Sequence, residues 1–375
     1  MRGDFQPLTV AFRPFTASPT PAQRTSATLR AMRSMLVAVL LLAASDTPAF
    51  EVPTRLAKLL DDGKWDATPA AFRIIALSHL ADGCVGQARA HPELVDDGRA
   101  CVKSTLRRAL ALGKSNDGLR LSHLNLIYGA ADQLGDCADP KEHERITREL
   151  ARRSLADPLR HAASYEGVTL RWPADQAVTL ASLARFDAAH GSTLLQAPLD
   201  AWREVMGKHL DPTTGLPQSE LTGKGPGAKY PRGCAQSFIS RYLAEADPPL
   251  AAQWWEKYRE HFLVRVGAVA GFREWPRGVD RKGDVDSGPI IMGIGTAASA
   301  FGIAAAKAQA DPALAAQLEA SASAVMATGV GGEVAKGVLA QAISFQGRWQ
   351  PGASPLPAQR GEGQGEGRLS GQGGR

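Results

Sequence analysis

The stretch Asp284–Lys307, DVDSGPIIMGIGTAASAFGIAAAK, decides how the chain is read. Two carboxylates, Asp284 and Asp286, precede Ser287-Gly288-Pro289. Then Ile290 to Ala306 runs for 17 residues without a charge. Such a segment is either a membrane span or a helix buried on all sides by other helices. Its glycines (Gly293, Gly295, Gly302) and many alanines suit close helix contact, although small residues also serve membrane packing.

The surrounding sequence favours burial by other helices. Three more stretches begin polar and continue apolar: Ser122–Leu134, Pro173–Ala184 and Pro231–Leu243. With the stretch from Asp286, their starts lie 51, 58 and 55 residues apart. Each is followed by a more charged, amphipathic segment, near Lys141–Leu155, Pro198–His209, Pro249–Phe262 and Asp311–Met326. An earlier pair, Ala70–Ala81 and Glu93–Leu112, fits the same scheme, and a truncated sixth begins near Glu333. A recurring apolar helix followed by an amphipathic one is the signature of stacked helix pairs. No run of alternating β-branched residues competes with it. The expected fold is all-α, an (α/α)5-6 toroid of repeated helical hairpins whose apolar helices form the inner ring. Ile290–Ala306 is then expected to be an inner helix rather than a membrane span.

The chain has 375 residues, 44% hydrophobic and 22% charged, ample for a sizeable core. Its net charge of +5 lies at the ends: residues 1–34 and 346–375 carry +6, leaving −1 for residues 35–345. A near-neutral body gives no electrostatic footprint for nucleic acid. Residues 1–31, rich in Pro, Thr, Ser and Arg, are expected to be a non-native or disordered extension. Met32-Arg33-Ser34-Met35 followed by Leu36–Ala44 reads as a signal peptide over residues 32–49, cleaved near Ala49. Periplasmic or secreted localisation follows, with residues 50–345 as the helical domain. The Gly/Pro/Arg-rich residues 346–375 are expected to be a disordered tail.

The motifs Trp172-Pro173-Ala174-Asp175 and Asp284-Val285-Asp286-Ser287-Gly288-Pro289 each open an apolar helix. There the chain resembles enzymes of the six-hairpin and terpenoid-cyclase-like toroid type, including the linalool dehydratase/isomerase-like group. The resemblance covers residues 55–345 in architecture and short motifs in sequence. It implies one deep pocket at one end of the ring. The linalool enzymes use a cysteine-bearing pocket; here only Cys234 stands at an inner-helix start.

If the inner helices run the same way, their N-terminal ends share one rim. Asp175, Glu274 and Asp286 are the expected catalytic groups, because carboxylates in a partly apolar pocket split into a neutral acid and an ionised base. His123, Tyr230, Arg232, Trp172 and Trp275 are the expected substrate-binding groups, with aromatic walls suited to a sugar ring. Each has a structural alternative. Asp175 and Asp286 can cap helices, Asp284 can organise a turn, and Glu274 can pair with Arg273 or Arg277. His123 can be a core histidine, and Arg232 can tie the rim to Asp175 or Asp286. The expected ligand is a small molecule or saccharide, handled by hydrolysis or elimination. The alternatives are a non-catalytic binding or scaffold protein, and a lyase or isomerase of a small hydrophobic alcohol.

No H-x-x-x-H, C-x-x-C or nucleotide-binding pattern is present, so no metal or cofactor is expected. Four cysteines allow three disulfide connectivities. Cys84 and Cys101 flank the bend of the first hairpin and are the favoured pair, with Cys84–Cys137 the competitor.

Overall fold

The structure, a computed structural model, describes residues 48–136, 138–222, 230–327 and 336–351. The proposed extension and the signal-peptide core therefore lie outside the described residues, as do Cys137 and residues 352–375. The described residues from Phe50 onward form one compact unit.

That unit is all-α. Among the described residues, α1 (Thr54–Asp62) comes first, followed by α2 (Ala70–Ala90), α3 (Val95–Ala111), α4 (Gly118–Gln133) and α5 (Pro140–Ala156). Then come α6 (Pro173–His190), α7 (Gln196–Gly207), α8 (Gly233–Ala246), α9 (Pro248–Phe262), α10 (Thr296–Ala308), α11 (Pro312–Ala327) and α12 (Val338–Trp349). Helices α2, α4, α6 and α8 are buried on every face along their central turns. Residues 76–88 of α2, 121–131 of α4, 176–183 of α6 and 236–243 of α8 are unbroken buried runs. The odd-numbered helices from α3 to α9 bury one stripe and expose charges. In α5, Ile146, Leu150 and Ala151 point inward while Arg145–Glu142 and Arg148–Glu144 pair outside.

The even helices pack in succession: α2 on α4, α4 on α6, α6 on α8, α8 on α10, α10 on α12, and α12 back on α2. Helix α1 packs on α12 and α3, so the first described helix covers the last. Buried polar side chains are paired from helix to helix. Ser122 meets Thr179 at 2.7 Å, and the Asn125 amide donates to Ser182 Oγ at 3.0 Å. These bonds remove the cost of burying hydroxyl and amide groups among apolar ones. The core holds Trp202, Tyr242, Tyr258, Phe262 and Phe272, all fully buried. A Cys84–Cys101 disulfide ties α2 to α3. No helix among the described residues is long and apolar enough to cross a membrane.

Two expectations need correction. Ile290–Ala306 is not a single helix. Ile290–Ile291 and Ile294–Gly295 form the antiparallel pair β3/β4, and α10 starts only at Thr296. Met292 and Gly293, at φ 52° and 81°, make the turn; consecutive left-handed residues break a helix and close a two-residue hairpin. A second hairpin, β1 (Leu263–Val266) with β2 (Val269–Phe272), turns at Gly267. The absence of long alternating runs concealed it, because each strand is four residues long. The helical unit also runs past the expected boundary at 345. Gln346, in α12, is buried and binds His79 and Asp82.

Candidate functional site

The N-terminal ends of α6 and α8 and the segment leading into α10 bring together most of the residues singled out from the sequence. The organising contact is at Gly233, the first residue of α8. Its N–H donates to Glu274 O at 2.8 Å. A Cβ there would sit 1.9 Å from Arg273 O, so only glycine lets the helix approach the 273–274 backbone so closely. That approach places Glu274, fully buried, against the first turn of α8.

Glu274 is held from three directions. Arg232 Nε donates to its Oε1 at 2.8 Å, the Cys234 backbone N–H to Oε2 at 3.2 Å, and the Cys234 thiol to Oε1 at 3.2 Å. The partner is Arg232, not Arg273 or Arg277. Arg232 also donates to Asp284 Oδ1 at 2.6 Å and lies 3.7 Å from Asp286 Oδ2. Its guanidinium sits 5.4 Å from the Trp275 ring centroid. The Arg281 guanidinium covers Tyr230 at 4.7 Å and Trp275 at 5.8 Å.

Asp175 lies in the first turn of α6, but its side chain does not cap that helix. It accepts a hydrogen bond from Ser164 Oγ at 2.5 Å. Trp172 packs edge-on against Tyr165, with centroids 5.7 Å apart. Asp286 is likewise no cap, since α10 starts beyond it. Asp284 does organise a turn: its Oδ1 accepts from the backbone N–H groups of Asp286 and Ser287.

One arginine thus faces several carboxylates, and they titrate apart. Burial raises Glu274, against the opposing pull of Arg232 and Cys234. Burial, with the nearby charge of Asp286, pushes Asp175 up to about 6 although Ser164 favours its ionised form. Burial and then Asp284 raise Asp286. Burial opposes ionisation of Asp284 too, but the Arg232 and backbone hydrogen bonds hold it below its ordinary value. Burial and the charge of Glu274 push the Cys234 thiol far up, so it stays protonated. Tyr165 is raised to about 12 by burial and then by Asp175 and Asp286. Both aspartates therefore act on one side chain. Ser164 and Tyr165 lie before the α6 motif and carried no sequence signal beyond proximity to Trp172.

His123 does not join this group. It is fully buried, bonded through Nδ1 to Ser78 Oγ at 2.7 Å, and its ring neighbours Phe238. Its helix neighbour Ser122 meets Thr179, one turn beyond Asp175. His123 thus belongs to a deeper layer, where burial lowers it to about 3 and keeps it neutral.

At the C-terminal ends of the same helices lies a different constellation. Arg185 donates to Asp82 Oδ1 at 2.6 Å and to Glu245 Oε2 at 2.7 Å. Arg241 donates to Glu245 Oε1 at 2.5 Å and to Asp82 Oδ2 at 3.3 Å. A cavity of about 530 Å³ opens there, lined by Arg89, Arg185, Arg241, Glu245 and Gln309 among others. Its charged groups bind one another, so the cavity is less suited to acid–base chemistry than the rim. Asp132, His143 and His190, which sequence spacing left unconnected, also converge.

No protein-family model matches the chain, and no curated protein matches it.

Proposed function

We propose that this chain is an exported (α/α)-toroid enzyme whose rim performs acid–base chemistry on a carbohydrate-like substrate, as a hydrolase or a lyase. The observation that carries this reading is the Asp175 carboxyl, bonded to Ser164 and pushed up to about 6 by burial, with the charge of Asp286 nearby. A carboxyl tuned toward neutrality close to a second carboxyl is the kind of pair that acid–base catalysis uses. Asp175 protonated would donate to a leaving oxygen. Asp286 ionised would take a proton from water in hydrolysis, or from carbon in elimination. Glu274 and Arg232 hold the base of the site, and Trp172, Trp275 and Tyr230 supply flat walls. Arg281, spread over Tyr230 and Trp275, is placed to meet the carboxylate of a uronic acid.

The packing circuit of the even helices supports the toroid, and the Cys84–Cys101 disulfide supports an oxidising compartment. N-terminal sequencing of the exported protein tests the compartment: a start at Phe50 is expected, and an intact Met1 in the cytoplasm would contradict it. The activity is tested by thermal-shift screening with oligosaccharides, uronic acids and terpene alcohols. Hits are then assayed for turnover in the parent, Asp175→Asn and Glu274→Gln. Saccharide turnover abolished by Asp175→Asn is expected. Saccharide binding with no turnover in any variant would make this a binding protein.

A second reading rests on the Cys234–Glu274 hydrogen bond. A buried protonated thiol beside a carboxyl suits a lyase or isomerase of a small hydrophobic alcohol. Turnover of a terpene alcohol, lost in Cys234→Ala, would favour it over the saccharide reading.

A further inference from the structure

We propose that Asp132, His143 and His190 form a binding site for one zinc-type divalent cation, separate from the rim carboxylates. The three residues come from three successive helices. Asp132 lies at the C-terminal end of α4, His143 in the first turns of α5, and His190 is the last residue of α6. Their separations of 11 and 47 residues match no short metal motif, so only the fold reveals the set.

Each ligand is positioned by its own local structure. Asp139 caps α5 by accepting from the Glu142 N–H, and Pro140 occupies the first helical position, which fixes where His143 stands. Gly191, in the left-handed conformation, ends α6 immediately after His190. Asp187 then holds the following loop through Ser192, Leu194 and Leu195.

Asp132 Oδ2 is 3.0 Å from His143 Nδ1 and 2.9 Å from His190 Nε2, and the three ligand atoms all lie within 4.8 Å of one another. In a tetrahedral zinc site with bonds of about 2.0–2.1 Å, neighbouring ligand atoms stand about 3.3 Å apart. The observed spread is one that a single ion gathers with small side-chain rotations.

The second observation is His143 itself. It is fully buried, and neither of its ring nitrogens makes a hydrogen bond. Its Nδ1 is at contact distance from Asp132, yet the pair lacks hydrogen-bond geometry. Two ligand atoms that share a third atom are arranged this way. The ring is clamped flat on Tyr128 at 5.3 Å and against the edge of Phe186 at 4.8 Å, so it cannot swing out to water. Burying an imidazole with both nitrogens unsatisfied is costly, and coordination through Nδ1 removes the part of that cost that falls on Nδ1.

The chemistry of the set selects the ion. Two imidazoles and one carboxylate suit zinc, cobalt or nickel, whereas magnesium and calcium take oxygen ligands. Asp132 is nearly buried and His190 is 31% exposed, so solvent reaches the set from the His190 side. An ion here ties α4, α5 and α6 together.

The test uses untagged full-length protein treated with a chelator and titrated with cobalt(II), then with zinc. The expected result is one equivalent of cobalt with the intense visible bands of a four-coordinate ion, displaced by one equivalent of zinc. Zinc should raise the melting temperature, and magnesium should not. His190→Ala, a change at the exposed ligand, should weaken zinc binding more than about 100-fold, beyond what losing a ligand's supporting hydrogen bond costs. Asp132→Asn should do the same, while His91→Ala, at a histidine outside the set, should leave binding intact. Pale six-coordinate cobalt, or zinc binding unchanged in His190→Ala, would overturn the proposal.

Discussion

The two ends of the even-numbered helices carry similar ingredients in different proportion. At the C-terminal ends, Arg185 and Arg241 meet Asp82 and Glu245 in a closed set of hydrogen bonds, joined by Gln346. Burial opposes ionisation of Glu245, yet Arg185 and then Arg241 hold its carboxyl far below the ordinary value. At the N-terminal ends, Arg232 alone among the described residues ion-pairs with Glu274, Asp284 and Asp286. Asp175, beside Asp286, is raised to about 6. Matched charges lock a structure; surplus carboxylates leave some of them ready to exchange protons. Helix direction contributes, since cations are favoured at C-terminal ends and anions at N-terminal ends.

The largest effect should come from breaking the matched end. Asp82→Ala leaves Arg185 and Arg241, both buried, with Glu245 alone. It should cost about 3–5 kcal/mol in urea or thermal unfolding. A loss under about 1 kcal/mol would mean that solvent already screens this network.

At the rim, Glu274→Gln keeps the shape but turns one of the two acceptor oxygens into a donor facing Arg232 Nε or the Cys234 N–H. A loss of about 2 kcal/mol is expected in the same measurement, with any activity abolished. Wild-type stability would show that Asp284 alone satisfies Arg232.

Asp175→Asn should have the opposite sign. The folded carboxyl titrates at about 6, above its ordinary value of 3.8. Its contribution to stability is therefore fully present below about pH 4 and lost as pH rises through about 6. Asparagine mimics the neutral form, so the variant should gain about 1–2 kcal/mol at pH 7.5 and little at pH 4, as read by melting temperature. Equal effects at both pH values would contradict the assignment.

The smallest effect belongs to Asp284→Asn. Its side chain is 52% exposed, and its turn hydrogen bonds can be kept by an amide oxygen. Less than about 1 kcal/mol is expected.

The helix pairs were legible because apolar runs at a near-constant spacing are a long-range signal. Helix starts at Pro173 and ends near Phe262 fall where the sequence puts them. The hairpin at Ile290–Gly295 was not legible, because an uncharged run fits helix and strand alike until the Met292-Gly293 turn is seen. Nor was α1, nine residues long and outside the repeat. Much of the rim was legible, since Trp172, Asp175, Arg232 and Asp286 stand at segment starts. Its pairing was not: Glu274 meets Arg232 across 42 residues, through a glycine contact that no local pattern encodes. The sequence leaves His123 open between pocket and core, because a buried helix face looks the same in either place. The matched end did leave a trace, a lone Arg185 inside the apolar run of α6. A charge there demands a buried partner, and the partners come from α2 and α8.

The most direct measurement is the titration of the Asp175 carboxyl itself, followed by NMR in protein carrying carbon-13 at its aspartate carboxyls and assigned by its absence in Asp175→Asn. A midpoint near 6, moving down in Asp286→Asn as the neighbouring charge is removed, is the predicted result. A midpoint at or below the ordinary value of 3.8, unchanged in Asp286→Asn, would contradict an acid–base rim.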